Sequence, residues 1–493
     1  MGTIQLLLAE KMQKLLAFLL NYTRSYFLSQ CNLSKALPLF IKGLSIILLI
    51  SYASTLYQFS DLTLVDDALT TGNLHHRWSL LLHSFFSLIN IKTVLVLGSL
   101  SALALFFLFV PFWLLIFNAC IYLALLVHFP TFFSFQWDIL LIETLLFTSV
   151  LFSPFHLKPK GLSIYPYYKL LPLILLMVRL FFHSGVVKLL SNDPLWLGQF
   201  VMDVHLFSQP LPHFLSFYLH RLIVSNNLSP LITQLMFVIE LIIPFGLLIP
   251  VYRRLSAAIL IGFQALIILT GNYGFFNFLV MIILCLPLLM SGASSIFSIK
   301  HQSKTQILFV IPLFVILIIN SLYVIPSPKR SPFLLQDAFT QIRAFNGYGL
   351  FAKMTQNQTR FNVYLSKDGV LWDSLRLKYY DNDGFPSLVF NQPYHPRIRW
   401  QLWFKFIYDQ HFPFWYQKLI HVLAEDPSQL STVVRDASGL SNKYNYVKLC
   451  YQDIVFLLND TSDSSQYWRP LFNRRCHIYN VQMKVFSPIK TSP

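Results

Sequence analysis

The sequence predicts an α-helical polytopic membrane bundle of about nine spans or re-entrant helices, followed by a C-terminal α+β, β-rich soluble domain. Three observations carry this. The 493-residue chain is 55% hydrophobic and only 12% charged, about half the charge of an ordinary soluble domain. Long apolar runs recur through residue 325 and then stop. Inside those runs sit isolated ionisable groups, which persist at membrane depth only where protein or water surrounds them.

The apolar runs fall near 41–58, 91–109, 110–128, 138–153, 169–190, 231–250, 255–270, 274–291 and 306–325. Most approach the roughly 20 helical residues that a 30 Å hydrocarbon core requires. The second and third are parted only by the break at Pro111, and 138–153 is short enough to be re-entrant. Residues 1–36 precede the first run and read as an amphipathic extension. Lys11 and Lys14 interrupt its apolar stretch, so it does not resemble a secretory signal. Residues 37–325 form the expected membrane domain and 326–493 the expected outer domain.

The formal charge of +16 invites a nucleic-acid reading, but the placement of the basic residues argues against one. With a cytoplasmic N-terminus, the inner segments carry Lys11, Lys14, Arg24, Lys35, Lys158, Lys160, Lys169, Arg253, Arg254, Lys300 and Lys304, and the outer connections up to residue 274 carry Arg77 and Arg221. This positive-inside asymmetry puts the tail outside or in a lumen. The expected partner is the lipid bilayer, not nucleic acid.

Residues 326–493 hold 20 Lys/Arg and 12 Asp/Glu, and no run there is long enough to span. FNGYGLFAKM reads as β. RFNVYLSKDGVLWDSLRLKYY reads as a hairpin, with Asp368-Gly369 between alternating stretches. RIRWQLWFKFIY and FWYQKLIHVLAE have amphipathic-helix spacing, and YNYVKLCYQDIVFLL returns to a strand pattern. Cys450 and Cys476 lie in this domain and can pair if it meets an oxidising compartment. Sequons occur at Asn227, Asn357 and Asn459 on the expected outer side.

The candidate intramembrane polar network comprises Asp138, Glu143, Arg179, His183, Lys188, Glu240, Asn272 and Asn277. Two readings stay open: ion pairs that fix helix register, or a polar cavity for a lipid headgroup, quinone or small anion. Arg179 and His183 share a helix face, whereas Lys188 lies roughly opposite Arg179, which disfavours one common pocket. His75, His76 and His83 read as a solvated loop rather than metal ligands. Neither a metal site nor a cofactor is expected, and no nucleophile elbow, Walker loop or zinc-protease signature occurs.

Eight segments together resemble the lipase maturation factor family. They are FSFQWDILLIETLLF (133–147), MVRLFFHSGVVKLLSNDPLW (177–196), SQPLPHFLSFYLHRL (208–222), FVIELIIPF (237–245), LTGNYGFFNFL (269–279), AFNGYGLFAKMT (344–355), SKDGVLWDSLRLKYY (366–380) and HPRIRWQLWFKF (395–406). The resemblance implies a polytopic membrane protein with a lumen-facing C-terminal domain that assists folding or assembly of an exported lipase or other secreted hydrolase. The location implied is the endoplasmic reticulum membrane in a eukaryote and the inner membrane in a bacterium. A more distant likeness to the helical module of vitamin K-dependent carboxylase implies the alternative of a membrane enzyme acting on a lipid or quinone-like substrate. A transporter is a third reading.

The chain departs from the family pattern twice. The family's DYHYETQPLP stands here as Asp203-Val-His205-Leu-Phe207-Ser-Gln209-Pro-Leu-Pro212, and RLDWQLWF as Arg397-Ile-Arg399-Trp400-Gln-Leu-Trp403-Phe404. Both changes are expected on the outer side, where a client is met. The candidate client-facing residues are Asp203, His205, Gln209, Trp372, Trp400 and Trp403, the tryptophans reading either as domain core or as an exposed aromatic surface.

Overall fold

The computed structural model describes residues 30–66, 90–107, 111–152, 154, 164–291, 343, 346–381, 383–407, 412–436, 443–457, 467–482 and 485–489. The expected run at 306–325, most of the N-terminal extension, the His75/His76/His83 cluster and the Asn459 sequon lie outside these residues.

A short strand, β1 (Gln30–Asn32), leads into α1 (Ala36–Val65), α2 (Ile91–Phe106), α3 (Pro111–His128) and α4 (Gln136–Ser149). After β2 (Ile164–Pro166) come α5 (Tyr167–Leu190), α6 (Met202–Ser208), α7 (Phe214–Ser225) and α8 (Ser229–Leu241), which runs into a 3₁₀ turn at Ile243–Leu248. The helical part closes with α9 (Arg253–Thr270) and α10 (Phe276–Leu289). Among the described residues, α1, α3, α5, α8 with its 3₁₀ turn, and α9 are long and apolar enough to cross a bilayer.

Several expected spans differ in length. α1 has 30 residues, well beyond the 41–58 run, because Gln58 and Asp61 near its end are buried against other chain segments rather than facing water. α2 has 16 residues and α10 has 14, short of a full crossing. α4 has 14 residues and almost no exposed face, so it is an internal helix. The break between the second and third runs holds, with Pro111 as first residue of α3, where a missing N–H costs nothing.

Several polar groups within the apolar helices are satisfied locally or across helices. Tyr52 of α1 donates to Asn118 Oδ1 of α3 at 2.8 Å, and Ser51 bonds Tyr122 beside it. α2 approaches this pair through Gly98, where an added Cβ would lie 3.0 Å from the Tyr52 ring. At one end of the bundle β1 pairs antiparallel with β2, and Arg254 donates to the Met290 carbonyl at 3.2 Å.

The C-terminal part is built on an antiparallel sheet of β3 (Gln358–Ser366), β4 (Asp373–Leu375), β5 (Tyr446–Phe456), β6 (Trp468–Pro470), β7 (Arg475–Asn480) and β8 (Val485–Ile489). The order is β4-β3-β5-β7-β8, with β6 pairing β5. β5 is central because it is buried on both faces, Val447 and Leu449 on one and Ile454 and Phe456 on the other. Cys450 and Cys476 stand opposite each other on β5 and β7 and are joined by a disulfide. The amphipathic helices form as expected, α11 (Arg397–Ile407) and α12 (Phe414–Glu425).

Two β expectations are corrected. Residues 346–354 of FNGYGLFAKM are not a strand: the amides of Asn346, Gly349 and Met354 bond to side chains of the helical part rather than to a neighbouring strand. The hairpin at Asp368-Gly369 forms with a six-residue loop rather than a tight turn. Asp368 accepts the Val370 and Leu371 amides at 2.8 and 2.9 Å, and these bonds hold its carboxyl below the usual range.

Candidate functional site

The C-terminal part sits on one end of the bundle, and the seam between them holds most of the buried charge. α4 enters it at Gln136, α5 leaves it at Lys188, and α9 ends in it at Thr270. The opposite end of α9 begins with Arg253 and Arg254.

Three ion pairs organise this end. Arg179 Nη2 contacts both oxygens of Glu143 at 2.6 and 2.7 Å. Lys188 Nζ contacts both oxygens of Glu240 at 2.5 and 2.6 Å and lies 5.2 Å from the centre of the Trp196 ring. Arg397, from α11, forms a two-pronged pair with Asp138 at 2.8 and 3.0 Å and donates to the Phe132 carbonyl at 2.6 Å. Its guanidinium lies 3.5 Å from the centre of the Phe133 ring. All six residues are at most 5% exposed.

Segment 346–358 is stapled along the seam. The Asn346 amide donates to Glu143 Oε1 at 2.9 Å and the Tyr348 hydroxyl donates to Glu143 Oε2. Burial, and then the Glu143 charge, push the Tyr348 phenol well above its ordinary value, so it remains a donor. The Trp196 indole donates to the Phe351 carbonyl at 3.0 Å. Asp193 caps the turn at Pro194–Leu197 with one oxygen and accepts the Met354 amide with the other, at 2.9 and 2.7 Å. Gln358 then donates to the Gln209 carbonyl at 2.5 Å.

The remaining rim is made of amides. Gln209 donates to the Thr270 carbonyl at 2.5 Å and accepts from the Tyr273 hydroxyl at 2.8 Å. Asn272 donates to the carbonyls of Leu211 and Val389 and accepts from the Asn391 amide at 2.9 Å. Gln392 donates to the carbonyls of Ile268 and Gly271. Gln58 bridges the His395 carbonyl and the Arg397 amide at 2.8 and 2.9 Å, while Asp61 accepts the Thr432 amide and hydroxyl. His395 lies over Gly274, whose φ of +59° and 2.8 Å clearance exclude a side chain there.

Of the sequence-predicted network, the structure thus brings together Arg179 with Glu143 and Lys188 with Glu240, while Asp138 takes its cation from the C-terminal part. Asn272 joins the rim. His183 and Asn277 are buried in α5 and α10. These residues form separate contacts along the seam rather than one pocket.

The expected client-facing set divides. Asp203, His205 and Trp372 are half-buried, Trp372 beneath Lys448. Gln209, Trp400 and Trp403 are at most 6% exposed and present no surface to a client. The apolar face of α11 is turned onto the bundle: Trp400 packs on Trp137 and Tyr273, and Trp403 donates to the Ser208 carbonyl at 2.9 Å. Both departures from the family pattern are likewise interior, not at an outer surface. Phe207 fills a cluster with Phe217, Phe456 and Trp468, and Arg399 lies against the Tyr380 ring.

Sequence reasoning missed Arg397, Asn346, Tyr348, Asp193, Gln58, Asp61 and Gln392. A signal existed for two of them. Gln58 and Asp61 are polar interruptions near the end of an apolar helix, the same criterion that picked out Glu143. Arg397 and Tyr348 lay inside quoted motifs but had no charge or spacing that named a partner.

His205 yields a pH prediction. Burial, and then neighbouring Lys188, hold its imidazole down at about 4. The unfolded imidazole binds a proton near 6.5, so the unfolded chain gains protons across the window from 6.5 down to about 4. Stability is complete above 6.5 and falls as pH drops through that window, by about 3 kcal/mol from this residue. His205→Gln is expected to flatten the thermal-midpoint profile between pH 6.5 and 4; an unchanged slope assigns the acid sensitivity elsewhere.

Comparison with known proteins agrees with this architecture. Residues 36–295 match the family described as lipase maturation factor transmembrane domain, and residues 344–476 match the lipase maturation factor C-terminal domain. Lipase maturation factor 2 of Xenopus laevis is 36% identical over 191 residues, covering 38% of this chain and 26% of that protein. The human lipase maturation factor 2 is 39% identical over 166 residues, 31% of this chain and 23% of the relative. Lipase maturation factor 1 of Mus musculus is 24% identical over 269 residues, 46% and 45% respectively. The matched stretches span less than half the length of these relatives. No solved structure matches. A chain whose helical part and C-terminal part both answer to these descriptions belongs to the lipase maturation factor family and is a membrane protein.

Proposed function

We propose that this protein is an integral membrane maturation factor whose C-terminal part assists the folding or assembly of an exported lipase-like client. The observation that carries the reading is the anchoring of the sheet on one end of the bundle through buried side chains of α1, α4, α5 and α9. A sheet held this way presents its remaining surface at a fixed distance from the bilayer. Val370 and Leu371 at the β3–β4 loop, and Phe472 after β6, are almost fully exposed apolar side chains on that surface. Transient burial of client apolar segments against them lowers aggregation of the client without altering its native stability.

On this reading residues 1–36 are an amphipathic extension, 37–325 the membrane domain and 326–493 a lumenal domain. The docking end lies opposite Arg253 and Arg254, which supports a tail on the non-cytoplasmic side. The relatives named above are vertebrate proteins, and the compartment proposed is the endoplasmic reticulum membrane. The ion pairs serve docking and register: Glu143 and Glu240 each meet a cation within 2.7 Å, which leaves little free carboxylate for proton transfer.

The test is loss of the protein, or exchange of Val370 and Leu371 for aspartate, in its host cell. The expected result is retained synthesis but at least a several-fold loss of specific activity of secreted lipase-type hydrolases. Intact secreted activity with an altered membrane-lipid profile overturns the proposal in favour of a membrane enzyme.

A further inference from the structure

Arg399 is a buried cation without a counter-charge among the described residues. Arg399 stands two residues beyond Arg397 on α11, so it leaves the helix on nearly the opposite side and cannot share Asp138. It is 5% exposed, its guanidinium lies 4.3 Å from the centre of the Tyr380 ring, and Nε, Nη1 and Nη2 all lack a hydrogen-bond partner among the described residues. The Tyr380 hydroxyl is unpartnered as well. Both border a cavity of about 10 Å³ whose other walls include Gln58, Lys378, Pro396 and Thr432.

The acceptors nearby are already engaged. Gln58 Oε1 takes the Arg397 amide, Asp61 takes both donors of Thr432, and Asp138 is bound two-pronged by Arg397. Lys378, bonded to the Ser431 carbonyl at 2.6 Å, adds a second positive charge at the wall. A guanidinium carries donors only and does not deprotonate in proteins. Its burial therefore demands an anion or acceptor that the described residues do not provide, and the Tyr380 ring face offsets only part of the lost hydration. The cavity has room for roughly one water-sized group, which excludes phosphate, sulfate and sugar headgroups.

We propose that Arg399 and Tyr380 form a binding site for one halide ion at the seam between α1 and the C-terminal part. The bound anion accepts from the guanidinium and the phenol. It draws the Tyr380 and Thr432 loops toward Gln58 and Pro396. The site goes beyond the maturation reading and does not depend on it.

The test uses the full-length protein in detergent, exchanged into sodium isethionate, whose sulfonate is too large for the cavity. Thermal midpoints are followed by tryptophan fluorescence while chloride, bromide or acetate, the last a control too large for the cavity, replaces isethionate at constant ionic strength. A saturable rise with chloride and bromide, but not with acetate, is expected; an equal saturable rise with acetate overturns the halide assignment. Arg399→Gln is expected to abolish the rise, and Tyr380→Phe, which keeps the ring, to raise the half-saturating concentration about tenfold. A wild-type midpoint indifferent to anion identity overturns the proposal and leaves a water in the cavity. So does a saturable rise that survives in Arg399→Gln. If Arg399→Gln does not fold, an unchanged half-saturation in Tyr380→Phe overturns it equally.

Discussion

Asp138→Ala is expected to destabilise the protein by about 3–5 kcal/mol, more than removal of its partner. Without Asp138, Arg397 is left buried at 1% exposure with only the Phe132 carbonyl and the Phe133 ring, and a guanidinium cannot relieve the cost by losing its proton. In Arg397→Met the stranded group is a carboxyl, which can neutralise itself by binding one. The methionine also keeps much of the apolar contact on Phe133. The double variant Asp138→Ala with Arg397→Met is expected to recover much of the loss, since apolar replacement of a whole buried pair is often near neutral. Thermal midpoints of the four proteins, analysed as a double-mutant cycle, check this. If Asp138→Ala proves the milder single change, the seam admits water at that point and the asymmetry argument fails.

Glu143→Gln is the second large effect, again about 3–5 kcal/mol, although it changes hardly any volume. The carboxylate of Glu143 accepts from Arg179, the Asn346 amide and the Tyr348 hydroxyl together. A glutamine offers one acceptor oxygen and turns an NH₂ group toward donors, so at least one donor is left facing another. Arg179 is then unpaired at 3% exposure. Tyr348→Phe removes one of the three bonds and is expected to cost only about 1–2 kcal/mol. The loss should appear as earlier release of the 346–358 segment, seen as faster proteolysis between α10 and β3 below the global unfolding temperature. Equal susceptibility of wild type and Glu143→Gln would show that this segment is held by Asp193 and Trp196 instead.

These two sites show how far the chain could be read before its fold was known. Glu143, Arg179, Lys188 and Glu240 were legible because a charge in an apolar run is costly, and its retention signals a partner. That argument names the presence of a counter-charge, not its identity. Asp138 looked like part of the same intramembrane set, yet its cation arrives from Arg397, 259 positions away. Trp400 and Trp403 shared a helical face, which marks burial against something. Periodicity gives the direction of the apolar face but not whether the surface opposite is a sheet, a bundle or a client. FNGYGLFAKM reads as β in the sequence. Its amides are satisfied by Glu143 and Asp193, a choice no local pattern records.

By itself the sequence determined that the chain lives in a membrane, that its last third carries a sheet with two amphipathic helices, and to which family it belongs. Those properties follow from composition, periodicity and motif order, each a sum of local preferences along the chain. Only the tertiary structure decided which charges meet, that both departures from the family pattern are interior, and that Arg399 has no counter-charge among the described residues. Coulombic and hydrogen-bond energies depend on separations of a few ångströms between residues hundreds of positions apart, and such distances exist only once the helices and the sheet have packed.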